Sequence, residues 1–166
     1  MLRMGRRARG AQLEELERLY REQAPRLRRL AAAIVGEREA ALDVVQQAFA
    51  TAVRQRSKFR GEGPLEAWLW RIVVREARAQ SRARHDLPLE ATFSSNGHEP
   101  DAAVAVVRAA LASLPERQRL AVFLRHYADL DYVTIADVLG ITPGTVGAAL
   151  NAAHARLAQV LEEVPR

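Results

Sequence analysis

Four arginines, Arg71, Arg75, Arg78 and Arg82, follow one another at intervals of four, three and four residues. At about 100° of turn per helical residue they share an arc of roughly 60° on one face. Like charges so placed weaken a helix by a few tenths of a kcal/mol per pair. Phosphates reverse that cost, because each guanidinium can bind one through two parallel hydrogen bonds and release counterions. The spacing fits two readings: a solvated face of an Arg-rich helix, or a track for a nucleic-acid backbone. The stretch just upstream, "KFRGEGP" (58–64), favours the second. It sets Lys58, Phe59 and Arg60 before two glycines and a proline, with Trp68 and Trp70 following. Aromatic rings beside cations suit single-stranded nucleic acid, where each stacked base is worth about 1–3 kcal/mol. Core packing is the better reading of Trp68. Phe59, in a polar loop, is the better candidate to touch a base.

A second constellation lies in "YVTIADVLGITPGTVGAAL" (132–150). Ala136 is small where two helices would cross, and Gly140 can take the positive φ of a tight turn. Val146 packs the second helix on the first, with Ile135, Leu139, Ile141 and Leu150 filling the core. Thr142 can cap the second helix and Pro143 suits its first turn. This is the pattern of a helix-turn-helix; an ordinary helical hairpin with a glycine turn is the plainer alternative. Reading bases in the major groove takes Arg, Lys, Asn, Gln or similar side chains. The second helix offers Gly147, Ala148, Ala149, Ala152 and Ala153 instead, leaving Thr145, Asn151 and Arg156, with His154, as polar candidates.

The elements that must position these residues are helical throughout. Leu13, Leu16, Tyr20, Leu27, Leu30 and Ile34 form a first apolar stripe, with Pro25 predicting a kink or a fresh start and Gly36 a stop. A second helix is expected from Glu39 to about Arg56 with Val45, Phe49, Ala52 and Val53 inward, and a third from Leu65 to about Arg84. Residues 85–101, "HDLPLEATFSSNGHEPD", hold two prolines and a Ser-Ser-Asn-Gly cluster and read as a linker. Beyond it, Val104, Val107, Leu111 and Leu114 make another stripe, and "SLPE" (113–116) fits a capping box between Ser113 and Glu116. A helix through Leu120, Phe123, Leu124 and Tyr127 precedes the final pair. The expected fold is all-α: two small helical domains joined by a flexible linker, the second a helix-turn-helix. The boundaries are a basic, disordered tail at 1–12, a first domain at 13–84, a linker at 85–100 and a second domain at 101–166.

Composition narrows the function. The 166 residues lack cysteine, which excludes disulfides and thiolate metal sites. No apolar run is long enough for a membrane span, and the basic start "MLRMGRRARG" has no apolar stretch behind it, so no secretory signal is read. The expected location is the cytoplasm, with no membrane partner. The net charge of +5 is unevenly spread. Residues 1–84 carry nineteen basic and ten acidic side chains, whereas 115–166 carry five and six. A polyanion should therefore sit on the first half. Arg supplies 24 of the 25 basic residues, which genome composition could explain; it does not explain the asymmetry. His85, His98, His126 and His154 show no ligand spacing, so no metal or cofactor is expected. No phosphate-binding loop, nucleophile elbow or carboxylate pair appears, and an enzyme is not expected.

Together "DVVQQAF" (43–49), "KFRGEGPLEAWLWRI" (58–72) and "LPERQRLAVFLRHYADLDYVTIADVLGITPGTV" (114–146) resemble, in order and spacing, the extracytoplasmic-function group of bacterial sigma factors. The resemblance spans about Leu13 to Glu162. It implies a protein that binds core RNA polymerase and directs promoter recognition, strand opening and transcription initiation. Asp43, Gln46 and Gln47 would then contact the clamp helices of the polymerase β′ subunit, where the plain reading is a solvated helix face. The loop at 58–64 would capture a flipped base of the non-template single strand, and the Arg stripe would hold promoter phosphates. The second domain would dock on the β flap and read the upstream element, and an anti-sigma factor is a possible further partner. The chain departs from the family pattern in three places: Gln47 stands where an acid is usual, Arg75 where Asn is common, and Gly147-Ala148-Ala149 where Lys or Arg normally reads DNA. Two other functions stay open on the sequence, a sigma-like adaptor and a stand-alone helix-turn-helix regulator.

Overall fold

A computed structural model describes residues 10–85 and 102–162. The expected linker at 85–100 therefore lies, apart from His85, outside the described residues. Every long element is an α-helix: α1 Leu13–Val35, α2 Arg38–Gln55, α3 Leu65–His85, α4 Ala102–Ser113, α5 Glu116–His126, α6 Tyr132–Leu139 and α7 Pro143–Glu162. The chain divides into two compact units, within 1–88 and 89–166.

In the first unit α1, α2 and α3 each pack on the other two. Leu16, Leu27 and Leu30 of α1 meet Val44 and Val45 of α2 and Leu69, Trp70 and Val73 of α3, all buried. Small residues let the helices close up: Ala24, Ala31, Ala40, Ala41, Ala48, Ala52 and Ala77 are buried as well. Trp70 is the bulkiest member of this core, fully enclosed, with its indole Nε1 donating to Glu66 Oε1 at 3.3 Å. Tyr20 and Phe49 close one side with ring centres 4.6 Å apart. Leu13, expected inside, is 40 % exposed.

Of the kink or fresh start expected at Pro25, the fresh start does not occur: α1 runs through it as one helix. Pro25 is exposed, so the backbone bond it removes is one that solvent can replace. Gly36 ends the helix as expected, at φ 81°, with its N–H donating to the Ala32 carbonyl. Residues 10–12 are not loose. The Ala11 N–H donates to the Arg56 carbonyl at 2.9 Å, and Ala11 is buried. A Cβ on Gly10 would run into the backbone of Arg56 and Ser57, so glycine is what allows the approach. The segment before α1 is thereby stitched to the 3-10 turn Arg56–Lys58 that opens the 58–64 loop.

In the second unit α7 packs on α4, α5 and α6, and α5 also on α6. The core is Ala110, Leu114, Leu120, Ala121, Leu124, Ile135, Ala136, Val138, Leu139, Val146, Ala149, Leu150 and Ala153. Val107 was expected on the inner stripe of α4 and is 46 % exposed; Ala110 takes that place. The capping box at 113–116 does not form. Ser113 is the last residue of α4, and its hydroxyl donates back to the Ala110 carbonyl at 2.7 Å. The N-cap of α5 is Pro115, which makes no side-chain cap bond. Arg119 NH1 reaches over the junction to the carbonyls of Ala112 and Leu114.

The helix-turn-helix is built as its sequence requires. Between α6 and α7 the chain bends by 97°, within the range for such motifs. Gly140 takes φ 68°, a left-handed conformation that ends α6. At the other end Asp131 caps α6, accepting the Thr134 N–H at 2.7 Å. That amide bond, with the Thr134 hydroxyl, the Val133 amide and the Arg125 charge, holds the Asp131 carboxyl below the ordinary carboxylate range. A lowered pKa means the charged cap stabilises the motif above about pH 4 and loses that contribution as pH falls through the folded value. Asp131→Asn keeps a capping acceptor but cannot titrate. Urea unfolding from pH 6 down to 3 should show a shallower acid loss in the Asn variant than in wild type. Asp131→Ala should be less stable than both at pH 6.

Candidate nucleic-acid interface

The short turn Arg56–Lys58, stitched to Ala11, delivers the 58–64 loop to the start of α3. Lys58 and Arg60 are exposed and Phe59 is half-buried. The Phe59 ring lies against Trp68, centres 5.6 Å apart and planes tilted by 54°. Trp68 is itself half-buried, so the two rings form an aromatic step at the surface rather than core. Trp70 faces the opposite way and is removed from any surface role. Residues two apart on a helix are separated by about 200°, which puts one tryptophan outside and the other within. Gly61, at φ 71°, turns the loop, and Arg60 approaches Glu62 only loosely, at 4.0 Å with both side chains largely in solvent.

The arginine stripe is real. Arg71, Arg75 and Arg82 are exposed and Arg78 is half-buried, on a helix whose other sides carry the buried Leu69, Ile72, Val73 and Ala77. Arg75 pairs with Glu76 at 3.6 Å. An exposed pair of that kind is worth about 0–1 kcal/mol, so it yields readily to a phosphate. The loop cations, the aromatic step and the stripe follow one another along the 25 residues from Lys58 to Arg82 of one unit, as a strand of nucleic acid would need.

On α2, Asp43, Gln46 and Gln47 are all exposed. Asp43 and Gln47 line a groove of about 330 Å³ with Val44 and, from α3, Glu76, Ala79 and Gln80. Gln46 is not part of its lining. Glu76 and Gln80 were not singled out from sequence; they sit four residues apart on α3, and only the packing of α2 on α3 sets them beside Asp43.

On α7 the polar candidates divide. Asn151 and Arg156 are exposed. Thr145 is half-buried, its N–H donating to Thr142 Oγ1 at 3.2 Å and its own hydroxyl 2.8 Å from the same atom. Thr145 is thus tied into the cap. Ala149 and Ala153, expected on the reading face, are buried in the core. Gly147 faces the Tyr132 ring, which an added Cβ would approach to 3.6 Å, an ordinary contact. The outward positions around the start of α7 are Gly144, Ala148, Asn151 and Ala152. The face is bare, though narrower than the sequence implies.

Two family models match this arrangement: sigma-70 region 2 over residues 19–85 and sigma-70 region 4 over 105–157. Over 153 residues the chain is 34 % identical to the ECF RNA polymerase sigma factor SigM of Mycobacterium tuberculosis, covering 87 % of this chain and 76 % of the relative. It is 28 % identical to the RNA polymerase sigma-H factor of Pseudomonas aeruginosa over 151 residues, 80 % of this chain and 78 % of that one. The fold is similar to the sigma factor RpoE of Bartonella quintana, solved in complex with the anti-sigma factor NepR. That likeness has a TM-score of 0.76 at 22 % identity, covering 92 % of this chain and all of the other. The chain belongs to the ECF group of sigma-70-type RNA polymerase sigma factors, which direct transcription initiation and are not themselves enzymes. Among the described residues no single helix is long and apolar enough to cross a membrane.

Proposed function

We propose that in this sigma factor the first unit supplies most of the promoter affinity, while the helix-turn-helix unit is held to DNA chiefly by its attachment to RNA polymerase. The observation that carries this is the contrast between two helices: α3 sets Arg71, Arg75 and Arg82 outward, whereas α7 sets Gly144, Ala148 and Ala152 outward. Lys58, Arg60 and the stripe hold phosphates of the melting promoter, and Phe59, backed by Trp68, receives an unpaired base of the non-template strand. Asp43, Gln46 and Gln47 dock on the β′ clamp helices, and the second unit docks on the β flap with Asn151 and Arg156 toward DNA. Tethering raises the effective concentration of a weak DNA module to about millimolar, enough for few contacts to suffice. The protein works in the cytoplasm, and an anti-sigma factor is a partner consistent with the NepR complex of its structural neighbour.

Gel-shift with promoter DNA tests the reading directly. The chain alone should shift duplex DNA weakly and the chain with core polymerase strongly; strong binding alone would instead mark a free-standing regulator. Ala148→Arg offers a gain-of-function check. Position 148 is exposed and Arg is nearly as good a helix former as Ala. The variant holoenzyme should bind promoter duplex more tightly, and its log affinity should fall with log salt more steeply by about 0.9.

A further inference from the structure

The four histidines are far apart in sequence, yet the packing of α5 on α7 brings two together. His126 lies in the last turn of α5 and His154 midway along α7. Their Nε2 atoms are 3.0 Å apart and their ring centres 5.2 Å apart. Both side chains are exposed, so the pair is open to ions from solution. Without an ion, one ring must donate its N–H to the other, which fixes their tautomers.

We propose that His126 and His154 form a two-imidazole site for a divalent transition-metal ion such as Zn²⁺, which clasps α5 to α7. Zn–N bonds of about 2.05 Å at a tetrahedral angle set the two nitrogens about 3.3 Å apart. The observed 3.0 Å needs only a small pivot of two surface rings to let both lone pairs converge. Neutral imidazole is the ligand: the ion takes the place of the proton shared between the two Nε2 atoms, and that proton passes through water to Nδ1 of the donor ring, so both rings ligate as neutral Nδ1–H tautomers. Among the described residues no cluster of three or more His, Cys, Asp or Glu side chains exists, so solvent completes the coordination and the ion is exchangeable. An ion bound across two helices of the folded unit, and not in the unfolded chain, stabilises that unit by mass action.

Calorimetric titration of the full chain with Zn²⁺ tests this, alongside thermal unfolding with and without EDTA. Wild type should bind one ion at this pair and unfold at higher temperature when it is bound. His126→Gln and His154→Gln should each weaken binding by at least about ten-fold and remove the thermal shift. His85→Gln and His98→Gln should leave both unchanged. Failure of wild type to bind, or tight binding that survives in either His126→Gln or His154→Gln, overturns the site. Circular dichroism of the two Gln variants, matching wild type, excludes loss of fold as the cause.

Discussion

Replacing Arg75 and Arg78 together with Ala is expected to reduce open-complex formation by the holoenzyme on the order of a hundred-fold, while Asn151→Ala changes it less than about three-fold. The two guanidinium groups sit one turn apart on α3, Arg75 exposed and Arg78 half-buried. A hydrogen bond to a charged group contributes about 1.5 kcal/mol or more, so losing two phosphate contacts costs about 3 kcal/mol, or two powers of ten. Salt dependence separates this cause from misfolding. Each lost phosphate contact should flatten the slope of log affinity against log salt by about 0.7 on single strands and 0.9 on duplex. The double variant should therefore lose roughly 1.5 units of slope. The Arg75–Glu76 pair does not alter the ranking, since an exposed pair returns at most about 1 kcal/mol when broken. Asn151 stands almost alone among small residues on a module that polymerase already holds in place, so its loss removes little. A larger effect at Asn151 than at the arginines would assign the affinity to the second unit.

Trp70→Ala is the second large effect, and it should act on folding alone. The side chain is fully enclosed between α1, α2 and α3. Truncating a buried tryptophan costs about 3–5 kcal/mol, against a total of about 5–15 kcal/mol for an ordinary domain. The variant should show a sharply lowered urea midpoint for the first unit. Glu66 also loses the indole N–H it accepts, but as a partly buried group it recovers much of that from water. Trp68→Ala should behave in the opposite way. Its half-buried ring holds little of the core, so stability should fall by about 1 kcal/mol, while strand opening on promoter DNA should suffer because Phe59 loses its backing. Unfolding curves and permanganate footprints of the two variants distinguish these outcomes.

The two tryptophans show where sequence is readable and where it is not. Helical spacing alone placed the four arginines on one face, because charge has a clear preference for solvent. The turn of the helix-turn-helix was equally legible, since Gly140, Thr142 and Pro143 each meet a backbone demand that few residues can. Trp68 and Trp70 carry no such mark; both are apolar, and their neighbours alternate between stripe and core. Alanine is still less informative. Ala149 and Ala153 are core, whereas Ala148 and Ala152 are exposed, and a methyl group accepts either setting. Ser113 misled because its role depends on a boundary: at the end of α4 its hydroxyl turns back to Ala110, whereas one residue position before a new helix it would have capped. The groove of Asp43 and Gln47 with Glu76 and Gln80, and the pairing of His126 with His154, arise from helix packing between segments about 30 residues apart. No local pattern encodes them.

The most direct measurement is transcription by core RNA polymerase reconstituted with this chain on a pool of genomic promoter fragments, with RNA 5′ ends mapped by sequencing. Wild-type protein should confer a defined set of start sites that core enzyme alone lacks, and the Arg75→Ala, Arg78→Ala protein should bind core normally yet lose those starts as salt is raised. Start sites no different from those of core enzyme alone, or starts retained by the arginine variant at every salt concentration, would contradict the assignment of promoter opening to the first unit.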